Sequence, residues 1–289
     1  MNNKKSPAHH TTLLLTALAM LAFAANSLLC RLALGQGLID AASFATVRIF
    51  AGAMILTLIM LPAWRNRGRA RADWRSVITL FLYMVFFAYA YLSLSAATGA
   101  LILFGAVQLT MFIAALKAGE HFAPMSWVGL CLAVLGLVYL VLPGVTAPDP
   151  TGAALMTIAG ISWGFYSLLG RHVPEPLEAT ANNFIFSLPL AIIVSLVFMD
   201  GIHTSAPGLA LAAASGAIAS GLGYVAWYAA LRGLTASRAA IVQLSVPAIA
   251  AFGGVVFLAE EITLRLLLAS AATLGGIALV LTQRARKPS

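Results

Sequence analysis

Asn26-Ser27-Leu28-Leu29-Cys30-Arg31 recurs 140 residues later as Tyr166-Ser167-Leu168-Leu169-Gly170-Arg171, and this repeat decides how the chain is organised. Each copy lies at the end of an apolar segment. Two further pairs have nearly the same displacement: Ala100-Leu101-Ile102-Leu103 with Ala239-Ala240-Ile241-Val242, and Leu135-Gly136 with Leu274-Gly275. The pattern predicts a duplicated unit, 1–145 and 146–289, and many membrane transporters are built from such repeats.

The composition is that of a protein embedded in a membrane. Of the 289 residues, 61% are hydrophobic and 9% are charged, and the mean hydropathy is +0.96. A soluble domain carries about a quarter charged residues. The longest polar stretch is the arginine-rich segment 63–75. We therefore predict an all-α integral membrane protein.

Ten hydrophobic segments are long enough to cross a bilayer, which takes about 20 apolar residues each. We number them span 1 to span 10 in chain order: 12–34, 41–61, 76–95, 98–117, 123–142, 151–170, 179–199, 207–231, 237–258 and 263–282. The connections are short, so successive spans run antiparallel. Because each unit has an odd number of spans, the second unit enters the membrane from the other side. The units are predicted to be inverted five-helix repeats.

Basic residues in the loops predict the orientation of the chain. If the N-terminus is cytoplasmic, fourteen of the 17 lysines and arginines lie on the cytoplasmic side. They are Lys4, Lys5, Arg65, Arg67, Arg69, Arg71, Arg75, Lys117, Arg171, Arg232, Arg238, Arg284, Arg286 and Lys287. Both termini are therefore predicted to be cytoplasmic. The net charge of +8 belongs to loops on one membrane face, and no nucleic-acid partner is predicted.

Span 1 can also be interpreted as a cleavable signal peptide. Lys4 and Lys5 precede an apolar run and Ala22-Phe23-Ala24, in the order that a signal peptide requires. The repeat argues for retention, because 23–31 aligns with 163–171. Cleavage there would remove half of a duplicated helix.

One helix motif occurs in both halves: A-x-x-A-[LI]-[IV], a mid-helix proline, then a small residue and Glu at the helix end. The second half has it in Ala239, Ala240, Ile241, Pro247, Ala259, Glu260 and Thr263. The first half has Ala100, Leu101, Ile102, Gly119 and Glu120, with Gln108 in place of the proline. With ten spans in two inverted sets of five, the whole chain resembles the drug/metabolite transporter superfamily, in particular its EamA-type bacterial members. Within it, the chain is most similar to the YddG-type exporters of aromatic and other amino acids.

The resemblance implies an exporter of amino acids in the bacterial inner membrane that works by alternating access and is not an enzyme. It also implies that spans 1, 3, 4, 6, 8 and 9 surround a central cavity, with spans 5 and 10 at the periphery. The five histidines lie in tails or loops without metal-ligand spacing. No catalytic residue, metal or cofactor is predicted. The alternatives are export of another substrate class and a membrane scaffold that transports nothing.

The charges inside the spans limit the mechanism and the substrate. No Asp or Glu lies near the middle of a span, and intramembrane carboxylates are the usual proton relays and cation ligands of coupled carriers. We therefore expect facilitated export. A phosphate-bearing substrate would need several basic residues in the cavity, and within the spans we expect only Arg31 and Arg48 to be available.

Polar and aromatic side chains on the expected cavity helices are the candidates for substrate binding. The set comprises Asn26, Tyr83, Phe104, Gln108, Trp163, Tyr166, Tyr224 and Gln243. The amides suit the two charged ends of a zwitterion, and the aromatic rings suit an apolar side chain. For the three amides, hydrogen bonding between helices is the alternative. Tyr91 and Tyr228, near helix ends, are expected to be interfacial anchors.

Other residues are candidates for gates, hinges and packing. Arg31 and its repeat counterpart Arg171 should lie on opposite faces, which predicts gate roles. Pro189 and Pro247 fall within spans 7 and 9, where each favours a kink and predicts a hinge. Arg48 is expected to snorkel outward or to hold a backbone carbonyl. Small residues on spans 5 and 10 predict either mutual packing or a homodimer contact.

Overall fold

The computed structural model describes residues 9–171, 173–234 and 236–284, and this part of the chain is helical almost throughout. Spans 1 to 7 are the helices His9–Gly35, Ala41–Arg67, Trp74–Ala90, Ala96–Lys117, Pro124–Val141, Pro150–Gly170 and Pro176–Val197. Span 8 joins the α-helix Ala206–Ala214, the π-helix Ser215–Leu222 and the α-helix Gly223–Leu231. Span 9 joins Ala236–Gln243 and Ser245–Leu258, and span 10 is Leu264–Arg284.

The all-α, multi-span fold is confirmed. Among the described residues, 9 helices are long and apolar enough to cross a membrane, and Trp74–Ala90 is a shorter apolar helix. Lys4, Lys5, Arg286 and Lys287, which support the prediction of cytoplasmic termini, lie outside the described residues. Span 3 ends at Ala90 and not at residue 95, because Ser95 caps span 4 by accepting a hydrogen bond from the Thr98 amide at 3.2 Å.

The contacts between the two halves are the same when each span is replaced by its counterpart five spans along. Span 3 packs on span 6, and correspondingly span 8 packs on span 1. Span 4 packs on span 6, and correspondingly span 9 packs on span 1. Three pairs of counterpart spans also pack directly on each other, namely 2 with 7, 4 with 9, and 5 with 10. Such a pattern is what two inverted copies of one five-helix unit produce around a shared axis.

Spans 5 and 10 use their small residues to pack against each other. A Cβ atom added to Gly129 would lie 2.6 Å from the carbonyl oxygen of Gly276, and one added to Gly136 would lie 2.6 Å from Oγ1 of Thr273. The glycines thus permit close contact between the two backbones within one chain. The predicted homodimer through these spans stays a prediction.

Spans 8 and 9 both depart from a regular α-helix. Residues Ser215–Leu222 form a π-helix. π-Helices are rare, and those that occur often lie at functional sites. Pro247 has no N–H to donate to the carbonyl of Gln243, and span 9 is interrupted at Leu244. Span 7, by contrast, continues as a helix through Pro189. The hinge roles of the two prolines stay predictions.

Candidate substrate cavity

A cavity of about 610 Å³ opens between the helices on one side of the bundle. We call the side that carries the loops 68–73 and 118–123 and the residues 171 and 173–175 the basic face, and the other side the opposite face. The cavity is lined from spans 3, 4, 6, 7, 8 and 9, and the loop 68–73 and residues 171 and 173–175 form its mouth on the basic face. Its volume is in the usual range for small-molecule sites. The implied set of lining helices was wrong in two places, because span 7 lines the cavity and span 1 does not.

Stacked aromatic rings form the inner wall of the cavity. The ring of Trp163 stacks on Tyr166 at a centroid distance of 5.2 Å and on Tyr224 at 5.6 Å. Trp227 and Tyr228 complete the lining on span 8. The prediction that Tyr228 is an interfacial anchor was wrong, since its hydroxyl lies 2.9 Å from Oγ1 of Thr180 inside the protein.

Span 7 holds the tyrosine hydroxyls of this wall in place. The Tyr166 hydroxyl donates to Thr180 at 3.2 Å and accepts from the Asn183 amide at 3.3 Å. Both partners are buried and line the cavity. Hydrogen bonds of this kind fix the ring orientations and leave the apolar ring faces to contact a ligand. Neither Thr180 nor Asn183 was among the predicted site residues. Asn183 carries the same signal as Asn26, Gln108 and Gln243, an amide within a span, but the resemblance implied that span 7 does not line the cavity.

Two predicted amides reach the cavity. Gln243 lines it next to the interruption of span 9, and Gln108 lines both this cavity and an adjoining one of about 430 Å³. Gln108 is 8% exposed, and within the described part of the chain its Nε2 atom has no hydrogen-bond partner. A buried donor without an acceptor costs about 1–3 kcal/mol. Gln108 is therefore a candidate hydrogen-bond donor to a ligand.

Charged residues of both signs surround the mouth. They are Arg71, Asp73, Arg171, Glu175 and Glu178. Arg31 and Arg48, the arginines expected to be available within the spans, do not line this cavity. Glu178 is buried and accepts hydrogen bonds from Nε1 of Trp64 at 2.9 Å and from the Ala70 amide at 3.0 Å, which fixes the loop 68–73 against span 7.

Three predicted site residues lie behind the cavity and do not line it. Asn26 accepts hydrogen bonds from Ser215 at 2.8 Å and Ser220 at 3.2 Å, both on the π-helix of span 8. Phe104 is buried in the hydrophobic core. Tyr83 packs under the aromatic wall, with its ring centroid 4.8 Å from that of Trp163.

Arg48 is completely buried, so the prediction that it snorkels outward or holds a carbonyl was wrong. Its Nε atom donates to Ser220 at 3.3 Å and its Nη2 atom to the Tyr83 hydroxyl at 3.1 Å. The guanidinium carbon lies 4.7 Å from the centroid of the Phe87 ring. The tight packing of span 8, where Gly216 lies directly on the Arg48 carbonyl, brings these groups together.

A cluster on the opposite face closes the bundle there, and we call Arg31, Glu260 and Ala96 the latch. The Nε atom of Arg31 lies 3.3 Å from Oε1 of Glu260. Both carboxylate oxygens of Glu260 accept from the Ala96 amide, at 3.0 and 2.9 Å, at the N-terminus of span 4. Arg31 also donates to the carbonyl of Tyr91 at 3.2 Å. The latch therefore joins spans 1, 3, 4 and 9.

Two further contacts seal the opposite face. Tyr91 is fully buried and donates from its hydroxyl to the Ala96 carbonyl at 3.3 Å, so its predicted role as an interfacial anchor was wrong. The loops before spans 2 and 8 pair through the Asp40 amide and the His203 carbonyl at 3.0 Å, and through the Ser205 amide and the Leu38 carbonyl at 2.9 Å. The cavity is therefore open towards the basic face and closed towards the opposite face.

Comparison with known proteins agrees with this architecture. The sequence profile of the EamA-like transporter family matches residues 10–142 and again residues 150–282. An uncharacterised protein of Pseudomonas aeruginosa is 50% identical over 273 residues, covering 94% of this chain and 95% of that protein. An uncharacterised transporter of Archaeoglobus fulgidus is 25% identical, covering 80% of this chain and 84% of that protein.

The fold is also that of a solved structure. A crystal structure superimposes with a TM-score of 0.66 at 19% identity, and the alignment covers 94% of this chain and 99% of that chain. At this identity the similarity shows the fold alone. The two matches to the family profile account for nearly the whole sequence, one for each half. The chain therefore belongs to the EamA-like transporter family.

Proposed function

We propose that this protein exports neutral and aromatic amino acids across the bacterial inner membrane by facilitated alternating access, as the YddG-type exporters that it resembles do. The observation that carries the proposal is the cavity wall. Stacked rings of Trp163, Tyr166 and Tyr224 provide apolar faces, and Gln108 and Gln243 provide neutral polar groups. An amino acid needs both, an apolar surface for its side chain and polar groups for its charged ends.

The charges at the mouth also favour a zwitterion. Arg71 and Arg171 lie among the lining residues together with Asp73, Glu175 and Glu178. A substrate with several phosphates would be repelled by the three carboxylates, which outnumber the two arginines. A molecule that carries one charge of each sign can adapt its orientation to such a rim.

The direction of access follows from the loops. The positive-inside rule places the basic face in the cytoplasm, so the open cavity would load from the cytoplasm while the latch seals the other side. Alternating access requires a second state that is closed on the basic face. A displacement of 140 residues relates Arg31 to Arg171 and Glu260 to Glu120, and both counterparts line the adjoining cavity near the basic face. In our proposal they close that face when the latch opens.

The experiment is counterflow of radiolabelled amino acids into liposomes that contain only the purified protein, with and without a pH gradient. Saturable uptake that ignores the gradient is the expected result, because no acid lies near the middle of a span. Uptake that requires the gradient would overturn the facilitative mechanism. Absence of uptake for every amino acid would overturn the substrate class and redirect the search to other metabolites.

Two matched variants test the aromatic wall. Trp163→Ala should raise KM about three- to tenfold, because an aromatic pair contributes about 0.5–1.5 kcal/mol beyond its buried area. Phe165→Ala removes a ring from the same helix that is 49% exposed and faces away from the cavity, so it should leave KM unchanged. Trp163→Phe should restore most of the activity. Equal KM values for all three variants would remove Trp163 from the site.

A further inference from the structure

Arg48 is a buried positive charge with no acidic partner among the residues that the structure describes. The side chain is 0% exposed, and its hydrogen-bond partners there are Ser220 and Tyr83. A buried charge is costly unless it is paired and fully hydrogen-bonded. A position with a purely structural role in this core would be occupied more favourably by an apolar residue.

The hydrogen bonds of Arg48 are incomplete. A guanidinium has five N–H donors. Nε donates to Ser220 and Nη2 to the Tyr83 hydroxyl, but Nη1 has no partner in the part of the chain that the structure describes. The ring faces of Phe87 and Tyr83, at 4.7 and 5.5 Å, compensate the charge only in part. The guanidinium therefore has free N–H donors, and guanidinium groups bind carboxylates in a bidentate manner.

Arg48 lies directly behind the wall of the cavity. The Tyr83 hydroxyl bonds to Arg48, and the Tyr83 ring packs 4.8 Å from Trp163, which in turn stacks on Tyr224. One aromatic layer therefore separates the guanidinium from the space that opens to the basic face. On its other side, Ser220 and Asn26 join Arg48 to the π-helix of span 8 and to span 1, the span that carries Arg31 of the latch.

We propose that Arg48 is the anion-binding residue of the transport site and takes the carboxylate of the substrate once spans 1 and 8 separate to open the opposite face. The inference rests on the proposed amino acid transport and adds the residue that recognises the carboxylate. Tyr83 and Ser220, already bonded to Arg48, orient the guanidinium. Gln108 lines the cavity, and the proposal assigns it a polar contact with the substrate while the cavity is open to the basic face.

The test compares Arg48→Met, Arg48→Lys and Arg65→Gln in the counterflow assay with tryptophan and with tryptamine, which lacks the carboxylate. Arg65 lies on the same span and is exposed, so its variant is the matched control. Wild type should prefer tryptophan. Arg48→Met should raise KM for tryptophan by about tenfold or more and abolish the preference, since a hydrogen bond to a charged group is worth at least that factor. Arg48→Lys should lie between, because lysine keeps the charge without the bidentate geometry.

Unfolding temperatures distinguish a binding role from a structural one. Loss of an unpaired buried charge should leave the unfolding temperature of Arg48→Met in detergent equal to that of wild type or higher. A folded Arg48→Met protein with the wild-type KM and preference would overturn the proposal. If Arg48→Met does not fold, Arg48→Lys decides: a raised KM at normal stability supports the proposal, and an unchanged KM overturns it.

A separate measurement keeps this test independent of amino acid transport. If wild type takes up no amino acid, the proposed function fails, and phenylacetate and phenylacetamide then serve as probes of anion binding. A rise in unfolding temperature with phenylacetate alone, absent in Arg48→Met and retained in Arg65→Gln, would support an anion site at Arg48. Equal effects of the two compounds on wild type would overturn it.

Discussion

Replacing Glu260 by glutamine should open the face that the latch closes. In the wild type, the Glu260 carboxylate pairs with Arg31 and accepts the Ala96 amide at the N-terminus of span 4. Glutamine keeps one oxygen for the amide but loses the negative charge. The substitution therefore destabilises the closed state. It does not change the stability of an open state in which Glu260 is already separated from Arg31 and Ala96.

The size of the effect follows from the exposure of the pair and from its position. The side chains of Arg31 and Glu260 are 27% and 14% exposed, so the ion pair is partly screened and contributes about 1 kcal/mol. A negative charge at a helix N-terminus adds about 0.3–1 kcal/mol. The sum of about 1–2 kcal/mol corresponds to a roughly five- to thirtyfold rise in the open fraction.

Cys30 is a native cysteine that can report this opening, so no cysteine has to be introduced. It precedes Arg31 in span 1 and is completely buried, whereas Cys131, which is exposed, would be replaced by alanine. A membrane-impermeant maleimide applied to the opposite face should modify Cys30 faster in Glu260→Gln, in proportion to the open fraction. Glu261→Gln, an exposed neighbour with the same chemical change, is the control and should match wild type. Equal labelling rates in all three proteins would refute the latch.

Two further substitutions test the orphan amide and the close packing of span 8. Gln108→Leu should leave the unfolding temperature unchanged or higher, because it removes a buried donor that has no acceptor among the described residues. It should raise the counterflow KM about three- to tenfold if the donor bonds to the substrate as proposed; an unchanged KM would place Gln108 outside the site. Gly216→Ala should lower the free energy of unfolding by about 1–3 kcal/mol, since the new methyl group collides with the Arg48 carbonyl. The control is Gly275→Ala, where nothing lies within 4 Å of the added atom, and thermal unfolding of the two variants measures the difference.

The spans were predictable because the bilayer imposes a strong and simple pattern. A run of about 20 apolar residues and a repeat at 140 residues can be recognised without knowing which face of each helix is buried. That information is what the interior positions require, so they were not predictable. A helix that is apolar on all sides gives no periodic signal for its buried face, so Arg48 and Tyr91 could not be distinguished from residues that snorkel or anchor.

The lining of the cavity shows a second limit. Aromatic rings and amides are rare inside spans, and this allowed five lining residues to be proposed from the sequence: Trp163, Tyr166, Tyr224, Gln108 and Gln243. The amides Asn182 and Asn183 of span 7 carry the same signal, but they were passed over because the resemblance implied other lining helices. The contribution of the loop 68–73 could not be predicted, because it depends on tertiary contacts such as those of Glu178 with Trp64 and Ala70. The resemblance to a family implied a set of lining helices, but in this structure span 7 lines the cavity and span 1 does not.

The latch indicates how an inverted repeat can give one protein two alternative closed faces. Glu260 and Glu120 each follow a residue with positive φ, Ala259 at 51° and Gly119 at 80°, at the ends of spans 9 and 4. The duplication thus supplied each face with an arginine and a carboxylate at equivalent positions. Alternating access needs two states that differ by a few kcal/mol at most, and similar latches keep the difference small.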